Sequence, residues 1–245
     1  MSKKNKMEKG YDTSPEDQLD VSFLLIGNGN CRLQIDTVLS IKTEYNIEIV
    51  VCSLDSSINN SYPKDLVKFV PDKIRSGSCH AFNEAYKNSD GEYIICITDS
   101  INISNDIYEV IRILKDQQEE GCDLIVTSLT AENGGSPKVI ECACEAAEVI
   151  PQSHCAYPIH HFRPDIMRWP CLARETIENE MQGHIFPPVF NHHYMDNWIG
   201  LWLFLKGESK SESSISVSDI KHAYNCKYDE HDLEILNRLS NKFKV

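Results

Sequence analysis

The first 130 residues of this chain alternate between two kinds of segment, and that alternation decides the fold class. Short, continuous apolar runs rich in β-branched residues are separated by amphipathic stretches. The runs are VSFLLIG (21–27), IEIVVCS (47–53), VKFV (67–70), YIICIT (93–98) and DLIVTSL (123–129). A strand with one wet face alternates apolar and polar residues; these runs do not, so both faces must be covered. Helical spacing fills the gaps. Leu33, Ile35, Val38, Leu39 and Ile41 mark one face of a stretch over 32–44, and further helices are predicted over 78–88 and 106–119. Strands alternating with helices predict a doubly wound α/β unit around a mostly parallel sheet flanked by helices.

The second half reads differently. Residues 136–170 have a looser, strand-like texture, and 171–183 predict a helix. The stretch YMDNWIGLWLFLKG (194–207) is apolar on nearly all sides and ends at glycine, which predicts a buried helix with a glycine stop. A strand is predicted over 214–224 and an amphipathic closing helix over 230–244. Residues 1–19 are polar and lack periodicity, so they predict a disordered tail. The polar segment ESKSES (208–213) is too short to separate domains, so 20–245 is expected to form a single one.

Charge and cysteine usage narrow the function classes. The chain has 245 residues and a formal net charge of −13, with its few basic residues at the start concentrated in MSKKNKMEKG. So acidic a body repels a phosphate backbone, which excludes general nucleic-acid binding. No run of 18 apolar residues exists, so no membrane span is expected. The basic start has no apolar stretch behind it and does not read as a secretory signal. The ten cysteines include no CxxC, and Cys142, Cys144 and Cys155 have the wrong spacing for zinc. Several sit inside strand-like runs, as buried free thiols of a reducing, cytoplasmic protein do.

Open parallel sheets bind ligands outside the carboxyl ends of their strands. That rule selects four loops: 27–30 with Asn28, 53–57 with Asp55, 73–78 with Lys73 and Arg75, and 98–100 with Asp99. Gly27 and Gly29 do not make a GxGxxG and carry little by themselves. Lys73 and Arg75, just before a helix start, read as a diphosphate cradle or as ordinary surface charges. Asp99, an acid directly after a buried strand, reads as a turn or cap residue, or as a ligand or metal contact.

The stretch GSCHAFNEAYKNSDGEYIICITDS (77–100) resembles the central signature of GT-A-fold nucleotide-sugar glycosyltransferases, family 2 in particular. There, an Ala-x-Asn element leads through Gly-Glu-Tyr-Ile into a strand that ends at an acidic metal motif. The matching residues here are Ala81, Asn83, Gly91 to Ile94, and Thr98-Asp99-Ser100. The order of elements over roughly 20–225 is also similar, including RETIENEMQGHIFPPVFNHHYMDNWIGLWLFLKG near the end. Two departures stand out. The family's Asp-x-Asp occurs nowhere in this chain, and the second strand ends Cys52-Ser53 rather than in an acid, the nearest being Asp55.

The resemblance implies a GT-A-like domain with a nucleotide-binding half (20–130) and an acceptor half (131–245), moving a sugar from a nucleotide-sugar donor to a glycan acceptor. It implies donor contacts from Asn28, Asp55, Asn83 and Asp99, and a divalent cation (Mn²⁺ or Mg²⁺) held by Asp99 with His222. Lys73, Arg75 and Arg163 would take over the diphosphate if no cation binds. Asp196, at the start of the apolar helix, is implied as the general base of an inverting transfer, with His192 or His193 meeting the acceptor. Two other readings remain open. One is a non-catalytic relative that binds sugar or nucleotide; the other is a nucleotidyltransferase on a similar sheet.

Overall fold

In the computed structural model the described residues are 19–27, 31–72, 77–122, 124–131, 169–191, 195–196, 198–199, 216–219, 231–232, 234–235 and 238. In chain order the elements are β1 (Val21–Gly27), α1 (Arg32–Ser40), β2 (Ile47–Ser53), β3 (Val67–Pro71), α2 (Ser78–Lys87), β4 (Tyr93–Thr98) and β5 (Ile101–Asn102). They continue with α3 (Glu109–Glu119), β6 (Val126–Ser128), β7 (Thr130–Ala131), β8 (Pro170–Ala173), α4 (Arg174–Glu180) and β9 (Ser216–Asp219). The main sheet has six strands in the order β3-β2-β1-β4-β8-β6, and β5, β9 and β7 form a small second sheet.

The first four strands are parallel and in register, with Gly27 beside Ser53, Ile26 beside Thr98, and Ser53 beside Pro71. Their carboxyl ends therefore share one rim, as the alternation of runs predicts. Both faces are covered, which is why the runs are continuously apolar. Phe23, Leu25, Ile49, Val51, Ile95 and Ile97 pack in one layer with residues of α1 and α3. Leu24, Ile26, Val50, Cys52, Ile94 and Cys96 pack on the other face with α2, Ile177 and Phe186. Burying each Leu, Ile or Val of this kind contributes roughly 1.5–3 kcal/mol over leaving it exposed.

One expectation is corrected. The helix expected from residue 171 begins at Arg174, and the residues before it form β8, antiparallel to both β4 and β6. Leu172 is buried in one core layer and Cys171 and Ala173 in the other, so these three residues fill a slot with two covered faces. A helix there would leave the β4 edge unpaired. The run is too short for periodicity to separate strand from helix. Helix ends also shift: α1 stops at Ser40 rather than 44, and α3 begins at Glu109 rather than 106. The expected strand over 214–224 is described only at 216–219, and the expected late helices only at 195–199 and 231–238 in part, where the described residues are helical.

The edge opposite the rim is tied by polar groups. Gly91 lies so close to the β1 backbone that a Cβ would overlap Ser22, and its N–H donates to Ser22 Oγ at 2.8 Å. Ser22 in turn donates to the buried Glu48 at 2.6 Å, and Lys68 reaches the same carboxylate at 2.7 Å. Arg174 donates through Nε to the Gly91 carbonyl (2.8 Å) and through Nη2 to Ser89 Oγ (2.9 Å), and its guanidinium lies over the Tyr86 ring at 4.9 Å.

Candidate functional site

The site is built on the rim where β1 and β4 end together. The Asp99 N–H donates to the Ile26 carbonyl at 3.0 Å, which carries the pairing one residue beyond β4. Its carboxylate then falls over Gly27, where any Cβ would overlap it. Glycine at the end of β1 thus makes room for the acid at the end of β4. Gln34 of α1 fixes the backbone behind it, its Nε2 donating to the carbonyls of Asp99 (3.2 Å) and Ile101 (2.9 Å). On the far side of the turn, Thr98 and Ser100 share a hydroxyl hydrogen bond of 2.7 Å, and Trp169 Nε1 donates to Thr98 Oγ1 at 3.4 Å.

Asp55 follows β2 and caps a 3-10 turn over Ser56–Asn60. Its Oδ1 accepts from the Ser57 N–H at 3.0 Å and from Ser57 Oγ at 2.6 Å. These bonds, with a smaller pull from Arg32, hold its carboxyl below the usual carboxylate range. Arg32 donates to Ser57 Oγ and Ser61 Oγ, each at 3.0 Å. Cys31 lies buried beneath the same rim. Burial pushes its thiol up to about 12, the Asp99 charge adds to this, a bond to Ser53 opposes it, and Asp55 adds a little more. Asp99 and Asp55 therefore act on one buried group from two strand ends.

The other face of the rim is organised by α2, which starts after Gly77 at a φ of +98°, a left-handed conformation that favours glycine. Asn83, in the middle of α2, uses its amide twice on one residue: Nδ2 donates to the Phe186 carbonyl at 2.8 Å, and Oδ1 accepts from the Phe186 N–H at 3.2 Å. Those bonds lay the segment after α4 along α2. The segment begins at a reversal where Gly183 has φ +73° and its N–H donates to the Ile177 carbonyl at 2.9 Å. It runs antiparallel to α2, passing Phe186 at Asn83 and Pro187 at Cys79, whose Sγ donates to the Pro187 carbonyl at 3.1 Å. It arrives with the Asn191 carbonyl accepting from the Cys79 N–H at 3.1 Å, at the rim end of α2. Asp196, half-buried, follows on a helical turn anchored in the core layer by Met195 and Ile199.

Of the residues predicted from sequence, Asp55, Asn83, Asp99 and Asp196 are described. Asn28, Lys73, Arg75, Arg163, His192, His193 and His222 lie outside the described residues. The structure brings Asp55 and Asp99 to one rim and gives Asn83 two bonds to backbone. Among the described residues no group of three His, Cys, Asp or Glu could hold a metal ion. Arg32 and Asp232 were not foreseen. The only signal for Arg32 was its being the first cation after the first strand. For Asp232 there was none, because an acid on an amphipathic closing helix reads as solvated. A cavity of about 210 Å³ lies beside α4, lined by Met181, His184, Pro187, Pro188, Trp198 and Ile199 among others.

By sequence the chain matches no protein-family model and no curated protein. By structure it is similar to many solved chains. Staphylococcus aureus TarS residues 1–349 in complex with UDP superposes with a TM-score of 0.60 at 12% identity over 91% of this chain. The mannosyltransferase PcManGT of Pyrobaculum calidifontis, in complex with GDP-Man and Mn²⁺, gives 0.51 at 16% identity over 91% of this chain. Glucosyl-3-phosphoglycerate synthase of Mycobacterium tuberculosis, with Mn²⁺, UDP and glucosyl-3-phosphoglycerate, gives 0.56 at 13% identity, covering 91% of this chain and 77% of that one. This chain spans 65% of the TarS fragment and 63% of the mannosyltransferase. These likenesses show the fold: a GT-A-like α/β architecture with a mostly parallel sheet.

Proposed function

We propose that this chain is a nucleotide-sugar glycosyltransferase that moves a sugar from a nucleoside-diphosphate donor to a hydroxyl of a glycan acceptor. The observation that carries the reading is the Asp99 carboxylate folded over Gly27 at the joined ends of β1 and β4, in a GT-A-like fold. The nucleotide would lie along the rim from Asp55 to Asp99, with Asn28 as a further contact and Lys73, Arg75 and Arg163 supplying positive charge. Mg²⁺ or Mn²⁺ sites often use one or two carboxylates plus substrate phosphates. A single rim carboxylate fits that pattern, so Asp99, with His222, would hold the cation. The cation would offset the charge of the leaving diphosphate.

The chain's own residues do the rest. The acceptor hydroxyl oxygen forms the new bond to the anomeric carbon while the bond to the diphosphate breaks and its electron pair leaves with the phosphate. The attack comes from the face opposite the departing diphosphate, so the configuration inverts, and the hydroxyl proton passes to Asp196. A base must hold its place within hydrogen-bond reach of the hydroxyl, and a turn anchored by Met195 and Ile199 does this better than a free loop. His192 or His193 would orient the acceptor. The free cysteines among the described residues, most of them buried, fit a reducing cytosol.

The experiment is donor hydrolysis and transfer by the purified chain, screened over UDP-, GDP- and CDP-sugars with and without Mn²⁺, alongside Asp196→Asn. The variant is expected to keep donor binding and to lose roughly 10²–10⁴-fold in turnover. Transfer at the parent rate by a stable Asp196→Asn would remove the base assignment. A second reading is favoured by the missing Asp-x-Asp: a non-catalytic relative that binds the donor without turning it over. Nucleotide binding with no turnover of any donor would support it.

A further inference from the structure

The described residues of the closing helix include a carboxylate with no place in the reaction just described. Asp232 is fully buried. Its Oδ1 accepts from the Asn191 N–H at 3.0 Å, and the Asn191 side-chain Nδ2 stands 3.3 Å from the same oxygen. His231 Nδ1 is 2.9 Å from it, on a ring that is more than half exposed. The Asp232 charge also reaches Cys79 at the start of α2, where it adds to burial in pushing that thiol up to about 12. Three elements therefore converge on one residue. The Asn191 N–H is held by Asp232, and its carbonyl is held by the Cys79 N–H at 3.1 Å. Ile235, one turn beyond Asp232, joins the same core layer as Met195 and Ile199.

An isolated carboxylate is among the most expensive groups to bury and persists only with bonds in good geometry. A core made only for stability would place an apolar side chain here. This acid instead bonds the backbone four residues before the turn that carries Asp196. We propose that Asp232 is a positioning residue: it pins Asn191 between the closing helix and the start of α2, and so sets where the Asp196 turn sits. His231 Nδ1 stands 2.9 Å from Asp232 Oδ1 and 3.0 Å from Asn191 Nδ2, and so closes the cluster on its exposed side. This inference rests on the reading of Asp196 as the base.

The test uses the full chain with Asp232→Ala, Asp232→Asn and Asp232→Leu, and reads both turnover and amide exchange. Replacing a buried charge by an apolar group of similar volume is often tolerated, so the Leu variant keeps the test open if Ala does not fold. For Ala or Leu, kcat is expected to fall about 10- to 100-fold with donor KM unchanged, as for a reacting group displaced by about an ångström. Asp232→Asn, whose Oδ1 can still accept from the Asn191 N–H, is expected to recover most of that loss. Amide exchange in 190–199 should quicken in the Ala and Leu variants while β1 and β4 stay protected. Unchanged exchange in 190–199, or an Asn variant no better than Ala, overturns the proposal. Asp196→Asn run in parallel separates the two readings. If it turns over normally while Asp232→Leu still loosens 190–199, the base assignment fails and the pinning stands.

Discussion

At the level of single residues, the rim depends on the pairing of Gly27 with Asp99. The glycine is needed for room: its Cβ position is already taken by the Asp99 carboxylate. Gly27→Ala should therefore overpack the site, costing about 1–3 kcal/mol in denaturant unfolding. It should also weaken UDP or GDP binding roughly tenfold or more by displacing the acid. In an Asp99→Gly background, which removes the overlapping Cβ as well as the carboxylate, the same glycine substitution should cost little. Equal destabilisation in both backgrounds would show that the overlap is not the cause. Asp99 was visible in the sequence because an acid directly after a continuous apolar run must sit at a strand end. The clash with Gly27 was not, since nothing local to 27 or 99 shows that β1 and β4 are neighbours in register. Asn83 was legible as one residue of a motif, but its two bonds to Phe186 join residues 103 apart and leave no trace in either segment.

Among the secondary-structure elements, Arg174 ties the start of α4 to the turn before β4. Its two donors reach Gly91 and Ser89, and its plane covers Tyr86. Arg174→Ala should lower stability by about 2–4 kcal/mol, because it removes the charge-assisted hydrogen bonds and the cation–π interaction together. Arg174→Lys should recover less than half of this, because one ammonium cannot reproduce a planar fork reaching two acceptors. Chemical denaturation of the three proteins at one pH checks both statements, and full recovery by Lys would mean that only the charge matters. The parallel strands were readable because runs covered on both faces leave a continuous apolar signature. β8 was not, because four residues followed at once by a helix carry no period of their own and take their conformation from the slot beside β4.

For the whole molecule, the buried thiols set a limit in alkali. Burial comes first in pushing Cys31, Cys52 and Cys79 from an ordinary 9.0 up to about 12, with acidic neighbours adding to it. Cys96 and Cys171 are raised as well, again by burial. A raised value in the fold means that the unfolded chain loses these protons first. The stability these groups contribute is thus fully present below about 9 and is lost as the pH climbs towards 12. The denaturation midpoint is expected to hold from pH 7 to about 8.5 and to fall steadily above it. Iodoacetamide at pH 8 should label these cysteines only after unfolding. Rapid labelling of the native chain at Cys31 or Cys79 would contradict the burial.

The antiparallel strand β8 also sets an order in time. β4 and β6 are never neighbours; β8 stands between them, yet about 40 residues separate it in sequence from the end of β6. A chain emerging from the ribosome can pair β1 to β4 as soon as they are made. It must then hold β6 without a partner until residues 170–173 have been synthesised. During that interval the outer edge of β4 is an open row of hydrogen-bonding groups, the kind of edge that invites pairing with another chain. A fragment stopped near residue 130 would keep that edge permanently, and is expected to self-associate even though it carries the whole rim from Gly27 to Asp99.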